Sequence, residues 1–229
     1  MEAFEGTYEG PLKYYPGCEI ARDSAASTTT LSQKHYAGDI FAIAWILGDS
    51  TAQHTYETKH PPFKRRLQPQ PQTRLPPSLP CGIVGSLGYL VTMIRPDLDW
   101  SYSELSKYVQ FPGIAHMEAA EHVLRYLRDT WNESIAYTCG SRKPDELWGW
   151  VDADWAGDTD TPRSHTGCIL MMNGVPIYWK SCLFHFVSLS TSEAEFVAAS
   201  QAGQEALYHR ETLKDFGCRD QQNTATEIY

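Results

Sequence analysis

The chain has 229 residues, of which 42% are apolar and 12% aromatic, enough to bury one large core or two small ones. Its formal net charge of -9 at pH 7 works against nonspecific nucleic-acid binding, which draws its affinity from Lys and Arg at phosphates, so any such contact must be local. Six cysteines without a C-x-x-C pair suggest neither a zinc knuckle nor a disulfide framework, and reduced thiols in an intracellular protein, cytoplasmic or nuclear, are the expectation.

No charged-then-apolar leader opens the sequence. The longest apolar run, Ile40 to Leu47, is far short of the roughly 20 residues that cross a bilayer, so no membrane partner is expected. Between Lys59 and Pro80 lie seven of the fourteen prolines and five basic residues (Lys59, Lys64, Arg65, Arg66, Arg74) with no acid. Proline fixes φ and removes a backbone donor, so this stretch is expected as an extended connector. Its basic cluster reads either as a phosphate contact or as a solvated linker.

Residues 97–130 are expected as two helical pieces broken at Phe111-Pro-Gly113. In the second piece Ile114, Met117, Ala120, Val123, Leu124 and Leu127 recur at three- and four-residue steps, opposite Glu118, Glu121, Arg125 and Arg128. His116 and His122 stand six residues apart, about 240° around the axis, and cannot share a metal from that helix.

After Pro144 the period drops to two. Leu147 to Trp155 is expected as a strand with Trp148, Trp150, Asp152 and Asp154 on one side. Strands over Gly167–Met172 and Val175–Lys180 follow, joined by Asn173-Gly174, the dipeptide of a two-residue hairpin. Pro176 belongs at a strand start or on an edge, and Val187 to Leu189 extends the same strand. Ser190 and Glu193 form an S-x-x-E capping box for a helix from about Thr191 to Phe216, closed by Gly217. Thr224 to Tyr229 begins another strand.

Asp152 on a strand and Glu195 on the first turn of a helix are the residues that suggest chemistry, because hard divalent cations prefer carboxylate oxygens. Glu193 and Glu195 are about 200° apart around the helix, so only one can face the sheet. Glu195 is expected to share the packing side with Ala199, Ala202 and Ala206. The spacing alone leaves two readings of it, a cation ligand or a partly wet carboxylate favoured by the helix dipole.

Residues 82–217 closely resemble the end of the polyprotein of copia-type retrotransposons. The resemblance rests on Ile83-Val-Gly-Ser-Leu-Gly-Tyr-Leu90, Arg95-Pro-Asp97, AEHVLRYLR over Ala120–Arg128, VDADWAGD from Val151, Arg163-Ser164, Ile177-Tyr-Trp-Lys-Ser181 and SLSTSEAEFVA over Ser188–Ala198. A weaker patch over 10–41, with Glu9-Gly-Pro-Leu-Lys-Tyr-Tyr15 and Leu31-Ser-Gln-Lys34, looks like the tail of the reverse transcriptase.

The resemblance implies an α/β fold: an incomplete ribonuclease H-like mixed sheet of about three antiparallel strands, a long helix and the start of a fourth strand, preceded by a mainly helical reverse-transcriptase remnant. The implied organisation is a reverse-transcriptase remnant over 1–58, a Pro-rich basic linker over 59–80, a helical connection segment over 81–140 and a truncated ribonuclease H-like domain over 141–229. Such enzymes cut the RNA of an RNA–DNA hybrid with two Mg2+ ions, or Mn2+ in their place, held by four acids. Matched by motif, Asp152 is the strand aspartate that bridges both metals and Glu195 the helix glutamate. Asp154 and Asp158 match no catalytic position, Asp154 being at most an outer-sphere residue. Trp155, Arg163 and Lys180 are candidates to face nucleic acid, against core packing for Trp155 and surface charge for Arg163.

Three departures weigh against activity. The family's third aspartate follows a segment like Thr226-Glu-Ile-Tyr229, where this chain stops, and Asp220 and Glu227 do not stand at its place. The paired aspartates of a polymerase site are absent. Residues 42–80 and Cys182–Phe186 do not resemble the family, which suggests a decayed copy with 42–80 read out of frame. The expectation is a chain with little or no cleavage of its own, completed by the rest of a Pol polyprotein or acting as a non-enzymatic binding remnant.

Overall fold

The computed structural model describes residues 10–47, 78–138, 146–217 and 225–229. They form a mixed α/β structure with two four-stranded sheets and five α-helices. No described helix is long and apolar enough to cross a membrane.

The first sheet is built from β1 (Tyr14–Tyr15), β2 (Cys18–Asp23), β3 (Thr28–Ser32) and β4 (Ser134–Thr138), all antiparallel and in that order. Asp23 Oδ1 accepts the amides of Ala25 and Ala26 at 2.9 and 3.1 Å, which closes the β2–β3 turn in the manner of an Asx turn. Pairing of Thr28–Ser32 with Ser134–Thr138 brings together segments a hundred residues apart. The mainly helical remnant expected before the C-terminal sheet is therefore corrected: a four-stranded sheet lies within it. Its last strand is contributed from beyond the expected linker, and no local period announces such a partner.

Helix α1 (Lys34–Leu47) follows β3, and α2 (Ser78–Met93), α3 (Asp99–Ser106) and α4 (Ile114–Asp129) pack with it. The expected connector over 59–80 lies outside the described residues except for Ser78–Pro80, which already belong to α2. In α2, Ile83, Val84, Leu87, Leu90 and Val91 are buried at helical spacing and meet Ala37, Ile40, Leu98, Leu105, Val123 and Leu127 in one cluster. Helix α4 buries Met117, Ala120, Val123 and Leu127 as its stripe requires, whereas Ile114, at the helix start, is exposed. Arg95 is buried beneath this unit. Its guanidinium holds Asp97 at 2.7 Å and donates to the Thr130 carbonyl at 3.0 Å, so the buried cation is both paired and hydrogen-bonded.

The second sheet runs β7-β6-β5-β8, from β5 (Leu147–Asp154), β6 (His165–Met172), β7 (Val175–Leu183) and β8 (Glu227–Ile228). Neighbours β5, β6 and β7 are antiparallel, and β8 pairs with β5 in parallel. Asn173 and Gly174 take φ of 53° and 80°, the left-handed pair demanded by a two-residue hairpin. Pro176 sits on the edge strand β7, opposite an irregularity at Leu170/Met171. The strand ends at Leu183 and does not extend to Val187–Leu189, whose Val187 and Leu189 side chains are exposed.

Helix α5 (Thr191–Asp215) crosses one face of this sheet. Ser190 Oγ accepts the Glu193 amide at 3.1 Å, while the Glu193 carboxylate accepts the Leu189 amide at 2.6 Å, a capping box displaced by one residue. Gly217, at φ 82°, closes the helix. Ala194, Ala198, Ala202, Ala206 and Leu213 are the buried residues of α5, and Ala153 of β5 lies in one cluster with Ala194 and Ala198.

Candidate functional site

Strand β5 places the first candidate carboxylate. Leu147, Gly149, Val151 and Ala153 face α5, so the pleat turns Trp148, Trp150, Asp152 and Asp154 to the opposite side. Asp152 is exposed, and its Oδ1 accepts the amide of Ala153 at 2.9 Å. It stands in the wall of a cleft of about 370 Å³ where the second sheet meets α3, together with Trp100, Trp150, Trp179, Asp97, Asp99, Lys180 and Ser181.

Glu195 lies in the first turn of α5, one residue beyond Ala194, and is exposed. The expectation that it shares the packing side with Ala199, Ala202 and Ala206 is corrected. The buried row runs through Ala194 and Ala198, and the 100° step per residue carries both Glu195 and Ala199 out to solvent. The error was one residue of phase in a stretch where alanine fills both faces. Asp152 and Glu195 are thus the chain neighbours of Ala153 and Ala194, two residues that pack in one cluster, but they emerge from elements on different sides of that contact. Neither carboxylate has an ion-pair partner among the described residues.

Trp155 is not in the cleft. Its indole N–H donates to the Ser188 carbonyl at 2.9 Å, tying the end of β5 to the segment that leads into α5. Arg163 is half-buried in the β5–β6 loop, where its carbonyl accepts the Asp158 amide at 3.2 Å. Lys180 stands at the edge of the cleft, but its register with Cys168 and Val151 turns its side chain to the α5 face, opposite Asp152.

A polar cluster between α3 and the β5–β6 loop was not singled out by sequence. Glu104, Asp158 and His165 bring ligand-type atoms within 4.8 Å of one another. Lys107 Nζ stands among them, 2.6 Å from Asp158 and 2.8 Å from Glu104, and His165 Nε2 is 2.8 Å from Glu104. The ammonium already supplies the positive charge that two close carboxylates require. Burial pushes the Glu104 carboxyl up, but hydrogen bonds from His165 and Lys107 and the Lys107 charge outweigh it and hold the group below the ordinary range. At Asp158 burial is likewise overcome by Lys107 and Thr161. Glu104–Lys107 is legible as an i,i+3 pair, but its meeting with Asp158 and His165 is a tertiary event.

The retrovirus-related Pol polyprotein from transposon TNT 1-94 of Nicotiana tabacum is 31% identical to this chain over 214 residues, 91% of its length. The chain belongs to the retrovirus-related Pol polyproteins of copia-type transposons. The Pol polyprotein from transposon RE2 of Arabidopsis thaliana is 33% identical over 207 residues, 90% of the chain. The chain spans 16% and 14% of the lengths of these two polyproteins. Secreted RxLR effector protein 161 of Plasmopara viticola is 39% identical over 126 residues, which are 55% of this chain and 87% of that protein. No family model and no solved structure matches.

Proposed function

We propose that the C-terminal sheet and α5 of this retrotransposon-derived chain form a ribonuclease H-type module for RNA–DNA hybrids, with Asp152 and Glu195 as two of its magnesium-holding acids. The observation that carries this reading is the placement of both motif carboxylates, exposed and without ion-pair partners among the described residues, beside the Ala153–Ala194 packing contact. Carboxylate oxygens are the donor set that hard divalent cations take. When bound, magnesium would activate an attacking water and stabilise the oxygen that leaves in an in-line displacement.

The chain's own residues do the rest. Ala194 and Ala198 bring α5 close to β5, and the Trp155–Ser188 hydrogen bond holds the strand end against the helix entry. Arg163 offers a guanidinium to a phosphate at the β5–β6 loop, and Lys180 an ammonium on the α5 face of the sheet. The 229 residues hold two acids where the family's sites use four, and loss of one transition-state stabiliser typically costs about 10²-fold or more.

Magnesium or manganese titration followed by calorimetry tests the site. Weak binding that Asp152→Asn abolishes and Glu195→Gln weakens is the expected result, and binding indifferent to both substitutions would sink the reading. With a hybrid substrate the chain is expected to cut slowly at most. A second reading, a non-enzymatic nucleic-acid-binding module, is favoured by the orientation of Asp152 toward the cleft and away from α5. Hybrid affinity that falls steeply with salt and ignores magnesium would select it.

A further inference from the structure

The cleft beside Asp152 is floored by two rows of residues on the face of the second sheet away from α5. In the first row Asp152 of β5, Gly167 of β6 and Ser181 of β7 stand in register, and Asp99 of α3 ends it by accepting the Ser181 amide at 2.5 Å. The second row, two residues along each strand, holds Trp150, Ile169 and Trp179. Two strand spacings, roughly 10 Å, separate the backbones at Asp152 and Ser181, so an acid stands at either end of the first row. Its middle is bare. A Cβ added at Gly167 would meet no atom within 4 Å.

The charge on this face is one-sided. Neither Asp99 nor Asp152 has an ion-pair partner among the described residues, and Lys180 turns its side chain to the other face of the sheet. Burial pushes the Asp99 carboxyl up, more than the Ser181 hydrogen bond and the Lys180 charge pull it down, so this anion is under-compensated where it stands. Beside the acids lie fixed indoles. Trp150 is 46% exposed and held edge-to-face by Trp148 at 4.5 Å, and the Trp179 N–H donates to the Val91 carbonyl at 2.8 Å. Carboxylates next to indole faces attract a cation, and a phosphate would meet two like charges. Among cations the guanidinium matches best, being planar, rich in donors, able to stack on an indole and more weakly hydrated than an ammonium. A volume of about 370 Å³, at the small end of ligand pockets, takes one such side chain. Arg95, next to the lining residue Pro96, is committed to Asp97 and Thr130, so the guanidinium comes from outside the described fold.

We propose that this cleft docks an arginine side chain of a partner protein, its guanidinium over Gly167 between Asp152 and Asp99 and stacked on Trp150. The proposal goes beyond the nuclease reading and does not rest on it, since no metal takes part.

The test is an NMR titration of the full chain in EDTA with a short capped peptide carrying one arginine, read at the Trp150 indole N–H, which Trp150→Phe assigns. Saturable binding is expected, at least about fivefold weaker when lysine replaces arginine and absent for citrulline, which keeps the shape without the charge. Asp152→Asn should weaken binding about threefold, and Gly167→Leu, which fills the bare floor, should abolish it. Equal responses to arginine and citrulline, no response of the Trp150 signal, or parent-like binding by Gly167→Leu would each overturn the proposal. If replacing Arg65, Arg66 and Arg74 by serine tightens peptide binding several-fold, the chain's own segment fills the cleft and the partner proposal falls. Should Gly167→Leu fail to fold, the citrulline comparison on the parent chain still decides. Because metal is chelated, failure here leaves the calorimetric test of Asp152 and Glu195 untouched, and failure there leaves this one standing.

Discussion

The two packed regions of the molecule are held by different side chains. The helical unit is filled by Leu87, Leu90, Leu98, Leu105 and Leu127, each nearly or fully excluded from water. On the C-terminal sheet, α5 lies down through Ala194, Ala198, Ala202 and Ala206, and its Phe196, Leu207 and Tyr208 point outward. Leucine contacts remove the most apolar area, and so give the scaffold its stability. Alanine contacts remove little area but let backbones approach closely, which is what sets a helix start beside a strand end. The contrast separates the part of the protein built for stability from the part built for position, with the α3 polar cluster joining them.

The sharpest way to break that contrast is Leu127→Ala. This side chain is 0% exposed at the centre of the helical cluster, and its removal is expected to cost about 2–5 kcal/mol in urea unfolding. A loss below 1 kcal/mol would mean the leucines are not the main source of stability.

Next in size is Lys107→Met, which leaves the Asp158 carboxylate, 2% exposed, without its counter-charge. About 3 kcal/mol is expected at neutral pH. The folded values of Glu104 and Asp158 are depressed, so the unfolded chain takes up protons first as pH falls below about 4. The stabilisation is therefore complete above that pH and is lost as pH falls through the folded values. The gap between parent and variant should narrow in urea melts from pH 7 to pH 3, and a constant gap would deny the carboxylates their role.

The smallest effect concerns the alanine contact. Ala198→Leu, at 0% exposure against β5, is expected to cost about 1–3 kcal/mol by overpacking, whereas exposed Ala199→Leu should stay within about 0.5 kcal/mol. Equal thermal shifts for the two would return Ala199, and with it Glu195, to the packing side.

Much of the C-terminal sheet was legible beforehand because its signals are local. Alternation marked β5, Asn173-Gly174 marked the hairpin, and Ser190 with Gly217 marked both ends of α5. The stripe through Met117, Val123 and Leu127 marked α4 in the same way. The strands over Tyr14–Ser32 pair locally but alternate too weakly between buried and exposed residues to be read, and the partner that completes their sheet, Ser134–Thr138, lies a hundred residues away. Of the named residues, Asp152 faces the cleft, Lys180 lies in register with Val151 on the other face of the sheet, and Trp150 rather than Trp155 stands in the cleft wall. Helical phase among consecutive alanines misplaced Glu195, since Ala198 and Ala199 are equally able to pack.

The amino-acid order by itself determined the family, the strands and helices with a regular period, and the two acidic residues worth testing, because periodicity, turns and caps act over a few residues. Only the tertiary structure decided that Lys107 neutralises Asp158, that Asp152 looks into a tryptophan-lined cleft, and that Glu195 points to solvent. Those outcomes depend on which distant surfaces meet, and burial, charge and contact exist only after they have met.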